Sequence, residues 1–225
     1  IEQCWSDDPN KRPTFDEIVN ILETDRKFIT SDINKSEYKR YIKYIKNNKP
    51  NASFPKSEIN YEELEKIQQN DKSINVAYLN LEEFEKQELI RRVDFYKIYK
   101  AKNKITNNDY EVKISTIRIT KLGKKELIHL SREINILSKI DHPTFLRFIG
   151  YSPIDFNQKT YPVIITEYSS NGSLDDIINK EYRSIPPEKW TDTKKLINIY
   201  GIASAMSYLH SHNIIHRDLK PANIL

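Results

Sequence analysis

A chain of 225 residues with 38% hydrophobic and 30% charged residues is long enough for one to two domains but poor in apolar side chains, so linker or open surface takes up part of it. Its 36 lysines and arginines against 32 aspartates and glutamates leave a charge of +4, spread without an arginine-rich block, which argues against nucleic acid or an anionic membrane as partner. The single cysteine, Cys4, excludes an internal disulfide framework and points to a reducing, cytoplasmic setting, and no apolar run approaches the ~20 residues of a membrane span.

Residues 1–24 hold Cys4-Trp5, Pro9 and Arg12-Pro13-Thr14-Phe15, then a helical pattern in which Thr14 and Glu17 fit a capping box and Phe15, Ile18 and Leu22 share a face. The start at Ile1, with nothing of a secretion signal in Ile1-Glu2-Gln3, leads to the expectation of truncation. From 25 to 80 the chain reads as a polar linker. Tyr38, Tyr41, Ile42 and Ile45 predict a short helix before the break at Asn47 to Pro50, and a second is expected over 61–69. Helices of that length are marginal in water unless they dock on something.

From about residue 81 the pattern becomes strand-like, with runs at Ile90 to Ala101 and Tyr110 to Ile119 around a polar turn at Asn107-Asn108-Asp109. A helix with the stripe Leu127, Leu130, Ile134 and Leu137 follows, and Glu133 lies beside that stripe where its carboxylate can point toward the sheet. Two further strands are predicted at Phe145 to Ser152 and Pro162 to Tyr168, after which Asn171-Gly172-Ser173-Leu174 opens a helix. Leu196, Ile199, Ala203, Met206 and Leu209 then predict a long buried helix.

The densest chemistry lies in His216-Arg217-Asp218-Leu219-Lys220-Pro221-Ala222-Asn223, which places a proton acceptor, a cation and a metal-binding amide within eight residues. This stretch resembles the catalytic loop of eukaryotic protein kinases. The resemblance implies that Asp218 positions the substrate hydroxyl, Lys220 neutralises charge on the transferred phosphate and Asn223 holds magnesium, and Lys220-Pro221 is similar to the serine/threonine type. Residues from about 84 onward resemble the same family in order. Lys113 matches the phosphate-holding lysine and Glu133 its helix partner; Thr166, Glu167, Tyr168 and Ser169 match the gatekeeper and adenine-reading hinge, and Ser173 the ribose-contacting position. Leu137, Phe148 and His216 match a hydrophobic column, so His216 is expected to pack rather than to act as acid or base.

The implied fold class is α+β: a kinase-like small lobe of five antiparallel strands and one helix over 81–168, then the start of a helical large lobe over 169–225 that ends, truncated, in the catalytic loop. Residues 1–24 resemble the end of a preceding kinase domain of the tyrosine-kinase-like group. The implied cofactors are ATP and Mg2+, and the implied partners a protein substrate and the neighbouring kinase domain, with no nucleic acid and no membrane. These 225 residues alone are expected to be inactive, because the second metal-binding residue would lie beyond Leu225.

The glycine loop departs from the family. The register through Ile90, Phe95, Ile98, Tyr99 and Lys100 sets Arg91, Val93 and Tyr96 where the family has glycines, and leaves Val93 and Ile98 against the nucleotide. Side chains there favour a differently shaped hairpin, with Arg91 a candidate to supply charge to the phosphates. Glu111, two residues before Lys113, is expected to disfavour nucleotide and to compete with Glu133 for Lys113. Impaired ATP use, as in a pseudokinase or regulatory module, is therefore the alternative reading. A truncated large lobe also leads to the expectation of an exposed apolar patch on the helix through Leu196, Ile199 and Met206, unless the 25–80 segment covers it.

Overall fold

The computed structural model describes residues 2–48, 62, 64, 66, 79–93, 95–185 and 187–225. Among them the helices are α1 (Phe15–Thr24), α2 (Lys35–Asn47), α3 (Lys124–Lys139), α4 (Leu174–Tyr182) and α5 (Asp192–Ser211), and the strands β1 (Phe84–Val93), β2 (Tyr96–Asn103), β3 (Asp109–Ser115), β4 (Phe148–Ser152) and β5 (Val163–Glu167). Two compact units result, one joining the N-terminal helices and His142 to Phe145 with 171–225, the other joining the remainder up to Asp141 with 146–170. No helix among the described residues is long and apolar enough to cross a membrane.

The first unit is helical. Thr14 begins α1 with the expected capping box, its hydroxyl accepting from the Glu17 N–H at 3.2 Å while its own N–H donates to the Glu17 carboxylate at 2.7 Å. Phe15, Ile18, Val19 and Leu22 of α1, and Tyr38, Tyr41, Ile42 and Ile45 of α2, recur at helical spacing and meet Leu196, Tyr200 and Ala203 of α5 in one apolar cluster. Burial of each large side chain there is worth about 1.5–3 kcal/mol, which is how two short helices become stable. Polar contacts fix their placement. The Tyr38 hydroxyl donates to the Leu22 carbonyl at 3.0 Å, the Tyr200 hydroxyl to Glu23 at 2.7 Å, and the Asn34 N–H to Thr193 at 2.8 Å.

Two expectations are modified by this unit. The face of α5 through Leu196 and Met206 is buried, and α1 together with α2 lies over Leu196, so that part of the predicted exposed patch is covered; Ile199 alone of the three stays half open, 52% exposed. Residues of 1–24 and of the first part of 25–80, up to Ile45, contribute to one cluster with residues of 171–225, because the second amphipathic helix has its apolar stripe facing the same partner. The helix expected over 61–69 falls mostly outside the described residues; Glu62, Leu64 and Lys66 are helical and Leu64 is fully buried.

The second unit is an antiparallel five-stranded sheet in the order β1-β2-β3-β5-β4. The run Ile90 to Ala101 falls in two strands, β1 and β2, an antiparallel hairpin in which Val93 pairs with Tyr96. The run after the Asn107-Asn108-Asp109 turn ends at Ser115 rather than Ile119, because a 3-10 turn begins at Ile119. Val112, Ile114, Val163 and Ile165 face one core with Leu81, Phe84 and Ala101. On the other face, α3 packs Leu127, Leu130 and Ile134 against Ile119, Tyr151 and Ile164, with Leu137 and Phe148 at the margin. The alternation of strand side chains thus separates the face that carries the Leu81, Phe84 and Val112 core from the one that carries the polar site.

Candidate active site

Cross-strand partners share a face, and the ladder pairs Val93 with Tyr96, Arg91 with Ile98, Ile98 with Lys113, and Lys100 with Glu111. Register therefore gathers Arg91, Val93, Tyr96, Ile98, Glu111 and Lys113 on one side of the sheet. Ile98 is buried there and Val93 is exposed. Helix α3 covers this side, and its Glu133 meets Lys113 with Nζ and Oε1 2.6 Å apart. About a third of each side chain remains open to solvent, so the pair is closer to a surface ion pair, worth ~0.2–1 kcal/mol, than to a desolvated one.

Tyr96 adds a third member. The Lys113 ammonium lies 4.0 Å from the centre of its ring, and its hydroxyl donates a long bond, 3.5 Å, to the second Glu133 oxygen. Burial first, and the Glu133 charge second, hold the phenol above its ordinary range, so it remains a donor. By sequence alone Tyr96 reads only as a displaced glycine. Its parity with Ile98 on β2 is the signal that it faces Lys113.

Arg91 differs from expectation. Its Nη2 meets Glu111 Oε1 at 3.1 Å, so the guanidinium offered to phosphates is taken by a carboxylate. The competition expected between Glu111 and Glu133 for Lys113 is also absent, since Glu111, only 12% exposed, has Arg91 within reach across β2 while Lys113 is held by Glu133. Desolvation keeps the Glu111 carboxyl above its usual range, with Arg91 and Lys113 opposing the shift. Arg91, Val93 and Tyr96 stay in extended strand geometry, and none is among the described residues of positive φ, so none of these three takes a glycine-only conformation.

At the end of β5, the exposed Glu167 carboxylate accepts from the Arg147 N–H at 3.3 Å, Thr166 is opposite Glu111, and Ser169 is half-buried in the segment that follows. Gly172, at φ 76°, makes the turn that a residue with a Cβ resists. Ser173 caps α4. Its hydroxyl accepts from the Asp176 N–H at 3.2 Å and donates to the Asp176 carboxylate at 2.7 Å, so the group assigned to ribose is engaged in helix capping.

The last cluster belongs to the helical unit. Helix α5 stops at Ser211, and Arg217 takes a left-handed turn at φ 65° that aims the next residue outward. Asp218 is exposed. Its Oδ2 meets Lys220 Nζ at 2.9 Å, and the Asn223 amide donates to that oxygen at 2.9 Å and to the Asp218 carbonyl at 2.8 Å. Lys220 first, then Asn223, hold the Asp218 carboxyl below its ordinary range, keeping it an acceptor. His216 is half-buried and its Nδ1 accepts from the Asp218 N–H at 3.3 Å, so it orients the loop. The loop is tied down where the Leu174 N–H donates to the Ile224 carbonyl at 2.7 Å.

With the amide nitrogen of Asn223 committed to Asp218, its oxygen is left as a hard donor of the kind magnesium accepts, and Lys113 supplies an ammonium suited to phosphate oxygens. Each group by its own chemistry thus fits one part of a magnesium nucleotide, the amide oxygen the metal and the ammonium a phosphate. Among the described residues no cluster of three or more metal-ligating side chains occurs.

Residues 84–225 match the family model described as the protein kinase domain. A Dictyostelium discoideum protein described as "Probable serine/threonine-protein kinase samkB" is 34% identical over 159 residues, 69% of this chain and 25% of that protein. The mouse serine/threonine-protein kinase TNNI3K is 35% identical over 153 residues, 66% of this chain and 17% of its own length. The serine/threonine-protein kinase CG17528 of Drosophila melanogaster is 31% identical over 132 residues, 59% of this chain and 16% of its own. The chain therefore spans a quarter or less of the length of these relatives.

Proposed function

The chain belongs to the protein kinase family, and we propose that the intact protein transfers the γ-phosphoryl group of ATP to serine or threonine hydroxyls of proteins. The observation that carries this reading is the triad on the loop after α5, where an ionised Asp218 is flanked by Lys220 and Asn223. Asp218 accepts a hydrogen bond from the incoming hydroxyl and aligns it; Lys220 lies close enough to share negative charge that develops beside Asp218. Asn223 would hold magnesium through its amide oxygen, and Lys113, kept in place by Glu133, would hold the nucleotide phosphates. When bound, magnesium and ATP supply the transferable group and offset its charge. Catalysis by these residues is positioning and electrostatics. The one cysteine supports a reducing, cytoplasmic setting, and the resemblance of residues 1–24 to the end of a kinase domain of the tyrosine-kinase-like group supports an arrangement after another kinase domain.

A second reading, a regulatory module that uses nucleotide poorly, is favoured by the Arg91–Glu111 pair and by Tyr96 over Lys113. Phosphotransfer to a mixed serine/threonine peptide substrate by the full-length protein tests the first. Asp218→Asn is expected to lower kcat by about 10²–10⁴ with nucleotide binding kept. Activity that survives Asp218→Asn unchanged overturns the assignment.

A further inference from the structure

On the Lys113 face of the sheet three cations, Lys113, Arg91 and Lys100, have carboxylate partners. Lys113 is 2.6 Å from Glu133, Arg91 is 3.1 Å from Glu111, and Lys100 is 2.9 Å from Asp109. The two central pairs cancel in charge, so they offer a triphosphate no net positive charge of their own. Binding a phosphate there requires that one pair be opened or that the space beside it be freed. Separating Arg91 from Glu111 would leave a carboxylate that is only 12% exposed without its counter-ion, which is unfavourable. Tyr96 is different: it is neutral, its hydroxyl bond is long, and it stands at the first position of β2 next to Phe95, which is 64% exposed.

We infer that Tyr96 is a latch on the nucleotide site: its ring and hydroxyl occupy the ground beside the Lys113–Glu133 pair, and a phosphate group reaches Lys113 only when Tyr96 swings away. This rests on the reading of Lys113 as a nucleotide-binding lysine. The ring centre is 4.0 Å from Nζ, whereas a phosphate oxygen must come within about 2.9 Å of it, so both cannot sit on the same side of the ammonium. The phenol stays protonated because it is partly buried and faces Glu133, and as a donor it favours the closed arrangement. The latch thus lowers apparent nucleotide affinity by the fraction of molecules in which it is open. It also gives a physical reason for a bulky residue where the resemblance implies glycine: the side chain takes the ground beside the ammonium that a phosphate would otherwise fill.

The test is titration calorimetry of the full chain with magnesium adenylyl imidodiphosphate, and separately with adenosine, which has no phosphates. Tyr96→Ala is expected to bind the triphosphate analogue about tenfold tighter, ~1.4 kcal/mol, with adenosine affinity unchanged. Tyr96→Phe keeps the ring and loses the hydroxyl, so it falls between wild type and Tyr96→Ala. Adding Lys113→Met to Tyr96→Ala removes the gain. Triphosphate affinity equal to or weaker than wild type in Tyr96→Ala, with wild type binding, overturns the latch and leaves the nucleotide reading standing. Equal gains for adenosine and for the analogue also overturn it, because the effect would then be on the fold of the hairpin rather than on phosphate access. Absence of binding in wild type and in Tyr96→Ala alike overturns both.

Discussion

Replacing Gly201 by alanine in the middle of α5 should destabilise the protein, although the same change in an ordinary helix interior stabilises by about 0.8–1.0 kcal/mol. The reason is the seat of Tyr41 on α2: a Cβ built on Gly201 falls 2.8 Å from the Tyr41 hydroxyl oxygen, with ring carbons at 3.7 and 3.8 Å. The ring cannot retreat freely, being set edge-on to Tyr200 at 6.2 Å and beside Tyr44 at 6.3 Å. Overpacking of this kind costs about 1–3 kcal/mol, so Gly201→Ala should lose ~1 kcal/mol net. In the Tyr41→Phe background the closest atom is gone and the remaining separations are ordinary contacts, so the same alanine should gain ~1 kcal/mol. The coupling is then ~2 kcal/mol, read from urea denaturation of the four proteins followed by far-ultraviolet circular dichroism, or as a shift of about 2–4 °C per kcal/mol in Tm. An alanine increment of the same sign and size in both backgrounds would show that α2 does not lie on α5, and the helical unit described above would be wrong.

Leu22→Ala should lower stability by about 2–5 kcal/mol, because Leu22 is 5% exposed in the cluster that joins α1 and α2 to α5; a loss below about 0.5 kcal/mol in the same denaturation assay would place α1 elsewhere. Glu111 yields a pH dependence. Burial raises its folded-state carboxyl above the unfolded value of about 4.3, so its contribution to stability is full below that value and is lost as pH rises through the raised one. Arg91 offsets that loss, and Arg91 is itself more than a third exposed, so Arg91→Ala should cost ~1 kcal/mol at about pH 7 and less at about pH 4. Equal losses at the two pH values, or a pH dependence that persists when Glu111→Gln is added, would refute the pairing.

Much of the site is legible in the chain because it is encoded locally. The loop from His216 to Asn223 brings Asp218, Lys220 and Asn223 together, and the contacts among these three side chains are made within the loop itself. Helical periodicity alone places Glu133 toward the sheet, and Lys113 then meets it. The partner of Arg91 escapes such reasoning for a different cause. Arg91 and Glu111 are on strands separated by β2, and only the register of two ladders, Arg91 with Ile98 and Lys100 with Glu111, brings them within reach.

Periodicity and short-range spacing were enough to determine the α+β character, the cap of α1, and the acidic, basic and amide groups of the last loop, since each depends on residues within a few positions of one another. Tertiary packing decided what covers α5 and what sits over Lys113. An amphipathic stripe reveals that a helix needs a partner without saying which one, and a strand residue's parity gives its face but not its neighbours across the ladder. Those choices are made by surfaces far apart in the chain, such as Leu22 with Leu196 and Tyr96 with Lys113, and they exist only once the backbone has folded.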